Sequence, residues 1–353
     1  MTPPDPAIEV VAPNFNRRLS GVTSTIARLV PVQRAQGLDI VATGVGLPVG
    51  TPMISRRATL ALGRSEHPTR PFRVLHARRN VEMLFALAAR AVAPAKWKLV
   101  FTSASQREHS RYTRWLISRM DAVIATSSAT ARYLERPSTV ILHGIDTGAF
   151  APVEDRAALR TRLGLPEGRL VGCFGRVRRQ KGTDLFVDAM IALLPERPGW
   201  NALVLGRATE QHVGFERDLK ARVEEAGLAE RILFPGEVAV DAIAERYAAL
   251  DLFVAPQRWE GFGLTPLEAM ACAVPVVATD VGAFPELLIP ETGMVVRRDD
   301  LAALRDATAA LMDADGERER MGQEARHHME RNFTIEREAA AITAVYEALW
   351  AKA

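Results

Sequence analysis

Short apolar runs alternate with helical patterns along the whole chain, and no other feature limits its fold so much. A strand buried on both faces reads as an unbroken Val, Ile and Leu run, and the helix that returns the chain carries an apolar stripe of period 3.6. The first half offers strands at residues 8–12, 38–42, 72–76, 98–102, 122–126 and 139–142. The second half offers them at 170–174, 202–205, 232–234, 252–255, 275–278 and 294–296. Two such sets predict an α/β protein of two doubly wound, Rossmann-like domains. With 353 residues, 48% of them apolar, the chain can fill two cores. The periodicity stops near 144–152, so the expected domains are 1–147 and 148–334. A last helix at 335–353, with a stripe of Ala340, Ile342, Val345, Tyr346 and Leu349, is expected to pack back on the first domain. The Gly- and Pro-rich stretch 47–57 reads as loop.

Several classes are set aside. No apolar stretch reaches 18 residues, and the first residues lack the basic-then-apolar order of a signal peptide. Cys173 and Cys272 sit inside apolar patterns, which speaks against a disulfide framework and for a cytoplasmic chain. The net charge of +3 hides an asymmetry. Residues 1–150 carry 20 Lys and Arg against 9 Asp and Glu, or +11, and residues 151–353 carry 25 against 33, or −8. A basic half without interleaved aromatics suits an anionic membrane surface or a phosphorylated acceptor at least as well as nucleic acid, and no nucleic-acid partner is expected. An ordinary arginine-rich surface is the other reading.

Residues 258–282 carry the densest signal. Glu260 and Glu268 stand eight apart. Thr265-Pro266-Leu267-Glu268 reads as a helix N-cap, a proline in the first turn and a glutamate three after the cap. The amides of Gly261, Phe262, Gly263 and Leu264 would then lie at a helix start and seat phosphate or sugar hydroxyls. Glu268 has two readings, cap or ligand, whereas Glu260 has no capping duty. In the same half a strand runs into Gly175-Arg176-Val177-Arg178-Arg179-Gln180-Lys181-Gly182, where Arg176 and Lys181 flank a loop that opens a helix.

The first half repeats this layout. Strand 8–12 leads through Arg17 and Arg18 to Gly21 at a helix start, and His76 ends a strand before Arg78 and Arg79. The cleft-facing cations are then Arg17, Arg18, Arg78, Arg79 and Arg107. Asp313 and Asp315 imitate a metal motif in a charged surface stretch and are discounted. There is no P-loop and no zinc spacing, so no metal or other cofactor is expected.

These residues resemble the retaining glycosyltransferases of family 4. Glu260 and Glu268 stand at the two ends of that family's Glu-x7-Glu motif, and Gly175-Arg176 with Lys181-Gly182 matches its Gly-Arg-x4-Lys-Gly. His143-Gly144-Ile145-Asp146, with Phe150 and Pro152, is similar to its Asn-Gly-Val-Asp segment, with His143 in place of the usual Asn. Ala283 follows Gly282 where a second glycine is common. Segments 13–26 and 76–83 resemble the lipopolysaccharide core mannosyltransferases of alpha-proteobacteria. The resemblance implies a GT-B fold with two domains facing a cleft. It implies a metal-independent hexosyl transfer from a nucleotide sugar, GDP-mannose, to a lipid A–Kdo core acceptor at the inner face of the inner membrane. Arg176 and Lys181 would neutralise the leaving diphosphate, Glu260 would hold the sugar hydroxyls and Glu268 the ribose. Phe262, Gly263 and Leu264 would offer amides, Gly21 would let its loop approach the diphosphate, and His76 or Arg78 would take the family's histidine position. The competing readings are another nucleotide-sugar donor with a different glycan or lipid acceptor, a sugar-nucleotide epimerase or phosphorylase, and a non-catalytic sugar-nucleotide sensor.

Overall fold

The computed structural model describes residues 5–17, 21–93 and 96–352. The chain divides into two compact units, one of Met1–Gly144 with Ile335–Ala353 and one of Ile145–Thr334.

The first unit is built on seven strands: β1 (Val10–Asn14), β2 (Ile40–Gly44), β3 (Met53–Ile54), β4 (Arg73–Ala77), β5 (Trp97–Ser103), β6 (Ala122–Ala125) and β7 (Thr139–Val140). Its helices are α1 (Gly21–Ala35), α2 (Arg56–Leu62), α3 (Asn80–Val92), α4 (Arg111–Ser118) and α5 (Ser128–Ala131). The strands are parallel in the order β3-β2-β1-β4-β5-β6-β7. All five residues of β1 and of β4 are buried, as an inner parallel strand requires. Segment 47–57, expected to be loop throughout, contains the two-residue edge strand β3, paired through Ala42↔Met53. A strand that short has no periodicity to read.

The second unit has β8 (Arg169–Phe174), β9 (Trp200–Leu205), β10 (Ile232–Gly236), β11 (Leu252–Ala255), β12 (Val276–Thr279) and β13 (Gly293–Val296). Around them lie α6 (Arg156–Arg162), α7 (Thr183–Leu193), α8 (Val213–Glu225), α9 (Ile243–Ala248), α10 (Thr265–Ala271), α11 (Phe284–Leu287), α12 (Leu301–Asp313) and α13 (Asp315–Asn332). The order is β10-β9-β8-β11-β12-β13, again all parallel. The twelve strands expected from sequence are all present, with ends displaced by two residues at most.

The final helix, α14 (Ile335–Trp350), belongs to the first unit. It buries Ile335, Ala339, Ile342, Tyr346 and Trp350 against Ile26, Leu29 and Val30 of α1 and the sheet beneath. Full burial of an aliphatic side chain such as Ile342 stabilises by about 1.5–3 kcal/mol. The stripe is rotated from the expected one, since Ala340 is exposed while Val345 and Leu349 only flank the core. Trp350 fixes the register by donating its indole N–H to the Phe72 carbonyl at 2.9 Å.

Both sheets reverse direction once, between β1 and β4 and between β8 and β11. At such a point the loops leaving the two strands part to opposite faces and open a crevice at their carboxyl ends. The sequence motifs fall on these four loops.

Candidate active site

In the second unit the crevice is walled by residues 175–182 after β8 and 256–264 after β11. Gly175 and Gly182 adopt φ of +135° and +68°, the region where a side chain is strained. A Cβ on Gly182 would lie 1.8 Å from the Pro256 carbonyl oxygen, so the two loops touch backbone to backbone. Arg258 ties them together. Its amide donates to the Gln180 carbonyl at 3.0 Å and its Nη1 to the Arg179 carbonyl at 2.6 Å. The same guanidinium holds Asp184 at 2.7 and 3.0 Å and pairs with Asp299.

On this frame the Lys181 ammonium pairs directly with the Glu260 carboxylate, both side chains being about four-fifths buried. Arg176 is exposed and has no partner among the described residues. The loop carrying Glu260 is itself packed tightly. Phe262 is buried and its carbonyl accepts the Ala283 amide at 2.9 Å. Gly263, at φ +92°, leaves no room for a side chain beside Phe284.

The helix start differs from the expected capping box. Leu264, not Thr265, is the cap residue, and Thr265 and Pro266 form the first turn of α10. The Thr265 hydroxyl is buried without a partner. Glu268 therefore stands one position deeper, with its amide bonded to the Leu264 carbonyl at 3.0 Å. Its carboxylate hydrogen-bonds the buried Tyr247 phenol, whose pKa is pushed well above the ordinary value, first by burial and then by this charge. Glu268 is thus held by a side chain of α9 rather than by its own helix cap.

In the first unit the loop after β1 is pinned by Asn14, whose amide side chain donates to the Val45 and Asn16 carbonyls. Arg79, expected to face an acceptor, has its guanidinium engaged internally. It donates to Asn14 at 2.7 Å, to the fully buried Glu82 at 2.8 Å and to Thr23 at 3.1 Å. A buried carboxylate needs a cation beside it, and Arg79 fills that need. Arg78 is different. Its Nε and Nη1 are shielded from water with no hydrogen-bond partner among the described residues. Burial pushes its pKa down, against the nearby Tyr346, Glu82 and Glu338. Arg17 and Arg107 are exposed and unpartnered among the described residues, and Arg18 lies outside them. Gly21 opens α1, and a Cβ added to it would meet nothing within 4 Å among the described residues.

His76, expected among the catalytic residues at the sheet's carboxyl edge, lies inside the first unit. The residue has no exposure, its Nδ1 meets the Tyr346 hydroxyl and its Nε2 the Thr102 hydroxyl at 2.7 Å. No ring nitrogen is left for a substrate. Burial, reinforced by Arg78, pushes its pKa well below 6.5, so the ring is neutral in the folded state. The unfolded chain then binds the extra proton, and stability that is complete above about pH 6.5 declines as pH falls toward the folded-state value. The slope is at most about 1.4 kcal/mol per pH unit for one proton. Urea unfolding between neutral and mildly acid pH is expected to lose that increment in His76→Gln. An unchanged pH slope in the variant would show that His76 is not held neutral.

Sequence reading missed Glu338 of α14. It accepts from His143 at 2.7 Å and from the Gly144 amide at 2.8 Å, and so anchors the segment in which His143 replaces Asn. It missed Arg258 and Tyr247 as well. Asp313 and Asp315 are engaged by arginines: Asp313 by Arg197 at 2.7 and 2.6 Å, Asp315 by Arg318 at 2.7 Å and by Arg169. These hydrogen bonds hold both carboxyls below their ordinary pKa. Among the described residues no three His, Cys, Asp or Glu side chains converge as a metal site would need.

Two doubly wound parallel sheets, with Gly-Arg and Glu-bearing loops at the switch point of the second, define a glycosyltransferase of GT-B architecture. Comparison agrees. Residues 155–328 match the family described as glycosyl transferases group 1. The chain is 58% identical over 349 residues to the lipopolysaccharide core biosynthesis mannosyltransferase LpsB of Rhizobium meliloti, covering 97% of this chain and 98% of that one. It is 52% identical to LpcC of Rhizobium leguminosarum bv. viciae, a protein of the same description, over 97% of both chains. Among solved structures, Anabaena HepE in complex with UDP and glucose superposes with a TM-score of 0.81 over 97% of this chain and all of that one. At 18% identity that likeness speaks for the fold alone. The chain belongs to the group 1 glycosyl transferases and is a hexosyltransferase. No described helix is long and apolar enough to cross a membrane.

Proposed function

We propose that the protein moves mannose from GDP-mannose, with retention and without a metal, onto a lipid A–Kdo type lipopolysaccharide core acceptor at the cytoplasmic face of the inner membrane. The observation that carries the reading is the Lys181–Glu260 pair at the second unit's switch point, with Arg176, unpartnered among the described residues, on the same loop as Lys181. End-to-end identity with two core mannosyltransferases supports the choice of sugar and acceptor.

In this reading residues 148–334 bind the donor and residues 1–147 the acceptor. Donor entry separates the ion pair. Lys181 turns to the diphosphate with Arg176, and Glu260 takes the hydroxyls of the sugar. Glu268, held by Tyr247, accepts from the ribose, and the amides of Gly261, Phe262, Gly263 and Leu264 line the sugar and phosphate. The bond from the anomeric carbon to the phosphate oxygen breaks as the bond to the acceptor oxygen forms on the same face. The acceptor proton passes to the departing phosphate oxygen, and the fixed cations stabilise the charge that develops there. Arg78, half-buried with two donors unused among the described residues, and the exposed Arg17 serve an anionic group of the acceptor, with Gly21 at the start of α1 close to Arg17 in sequence.

Thermal shift with GDP-, UDP- and ADP-sugars tests the donor. GDP-mannose at about 100 times its dissociation constant should add about 2.7 kcal/mol of stability. Labelled mannose should then reach a core acceptor, with and without EDTA. Preference for another nucleotide, or loss of transfer on chelation, overturns the donor or the metal-independent part. Turnover of the sugar nucleotide without acceptor would point to an epimerase, and binding with no turnover to a sensor.

A further inference from the structure

The structure engages Arg79 internally and shields two of Arg78's donors, yet most of the first half's positive charge lies on other arginines. One face of the first unit stands out. The exposed residues of α3 are Val81, Leu84, Ala88, Ala91 and Val92, a continuous apolar stripe on the side opposite its buried Glu82, Met83, Ala86 and Ala89. Val81, Leu84 and Val92 are 51%, 47% and 68% exposed. A helix that buries one face ordinarily turns charge to water on the other, and a contiguous exposed apolar stripe marks a docking surface.

Helix α4 lies alongside, joined to α3 where the Asn80 side chain donates to the Thr113 hydroxyl at 2.8 Å. Its outward side chains are cationic and aromatic. Tyr112 and Trp115, about half exposed, stack one turn apart with ring centroids 6.2 Å apart. Arg111 is exposed without a partner among the described residues, and the Arg119 guanidinium lies 6.0 Å from the Trp115 ring. No acidic residue occurs from His109 to Met120. Of the nearby acids, Asp121 is engaged by Arg90 and Lys98 and Glu135 by Arg114, which leaves the exposed Glu108, just before the helix, as the one acid against Arg111 and Arg119. Arg136 secures the far end of the helix by donating to the Ile117 and Met120 carbonyls, both at 2.8 Å.

We infer that the α3–α4 face docks on an anionic lipid bilayer, with the α3 stripe at the acyl boundary, Tyr112 and Trp115 at headgroup level and Arg111 and Arg119 on lipid phosphates. Charge selects this occupant. Arginines that outnumber the adjoining acid, with an amphipathic aromatic pair, match a negatively charged leaflet, where each cation adds to the attraction and aromatic rings favour the interface. The inference names the surface by which the lipid-linked acceptor of the proposed function is met, and rests on that reading for its biological purpose only.

The test uses the full chain and vesicles of phosphatidylcholine with or without phosphatidylglycerol, in the absence of donor and acceptor. The protein should sediment with the anionic vesicles, lose binding as salt rises, and show a blue-shifted emission that is missing in Trp115→Phe. Val81→Ser with Leu84→Ser, Tyr112→Ser with Trp115→Ser, and Arg111→Glu with Arg119→Glu should each weaken partitioning about tenfold or more. All sit at exposed positions, so unfolding midpoints and transfer to detergent-dispersed acceptor should stay at wild type. Equal binding to neutral vesicles, binding indifferent to all three pairs, or self-association through this face would overturn the inference. Transfer that fails while vesicle binding persists would count against the proposed function alone.

Discussion

Lys181→Ala is expected to lower kcat/KM for the nucleotide sugar by about 10²- to 10³-fold, the scale of losing one preorganised electrostatic stabiliser. Arg176→Ala should fall in the same range. The two differ in what else they disturb. Arg176 is exposed and unpartnered among the described residues, so its removal leaves the unliganded protein unchanged. Lys181 neutralises Glu260, and its removal leaves a mostly buried carboxylate without its cation. A displaced Glu260 loop would then add to the loss that an unattended diphosphate causes. A double-mutant cycle separates the two. If Lys181 served only to neutralise Glu260, Lys181→Ala with Glu260→Gln would recover the activity of Glu260→Gln alone. If it meets the leaving group, the double variant stays below either single one. Wild-type kinetics in Arg176→Ala and Lys181→Ala would remove the diphosphate assignment.

Much of this layout is legible in the sequence, and for a physical reason. Parallel strands buried on both faces leave unbroken apolar runs, so β1, β4, β8 and β11 can be placed from the residues alone. The loops between them can be read because glycines with positive φ, such as Gly175 and Gly182, mark places where backbone must crowd backbone or ligand. Partnerships across the chain leave no such trace. Tyr346 meets His76 across 270 residues, and Glu338 meets His143 across 195. No local spacing announces either pair, and so His76 reads as a strand-end residue facing the cleft and α14 as plain packing. Arg258 borders the richest motif, yet its duties lie with Asp184 and with Asp299, in separate elements. Thr265 misleads for the opposite reason. The local pattern of a capping box is complete, but the chain enters α10 from Leu264 and leaves the threonine hydroxyl unused.

Gly182→Ala should be among the most destabilising single changes in the second unit, costing about 2–5 kcal/mol. Two effects combine. At φ +68° an alanine sits in the left-handed region, a strain of roughly 1–2 kcal/mol. The added methyl would also stand 1.8 Å from the Pro256 carbonyl oxygen and 2.6 Å from its carbon, and main chain cannot yield by changing rotamer. Overpacking of this kind costs a further 1–3 kcal/mol or so. Gly164 supplies the control, since it has nearly the same φ, +63°, but nothing within 4 Å of its Cβ position. Gly164→Ala should therefore carry the conformational strain alone, and urea unfolding should separate the variants by about 1–3 kcal/mol. The molecules of Gly182→Ala that remain folded must push apart the loops bearing Lys181 and Glu260. Donor affinity should fall with stability in Gly182→Ala and hold in Gly164→Ala. Equal destabilisation of the two would mean that the loops at the switch point are not in the backbone contact on which the Lys181–Glu260 geometry depends.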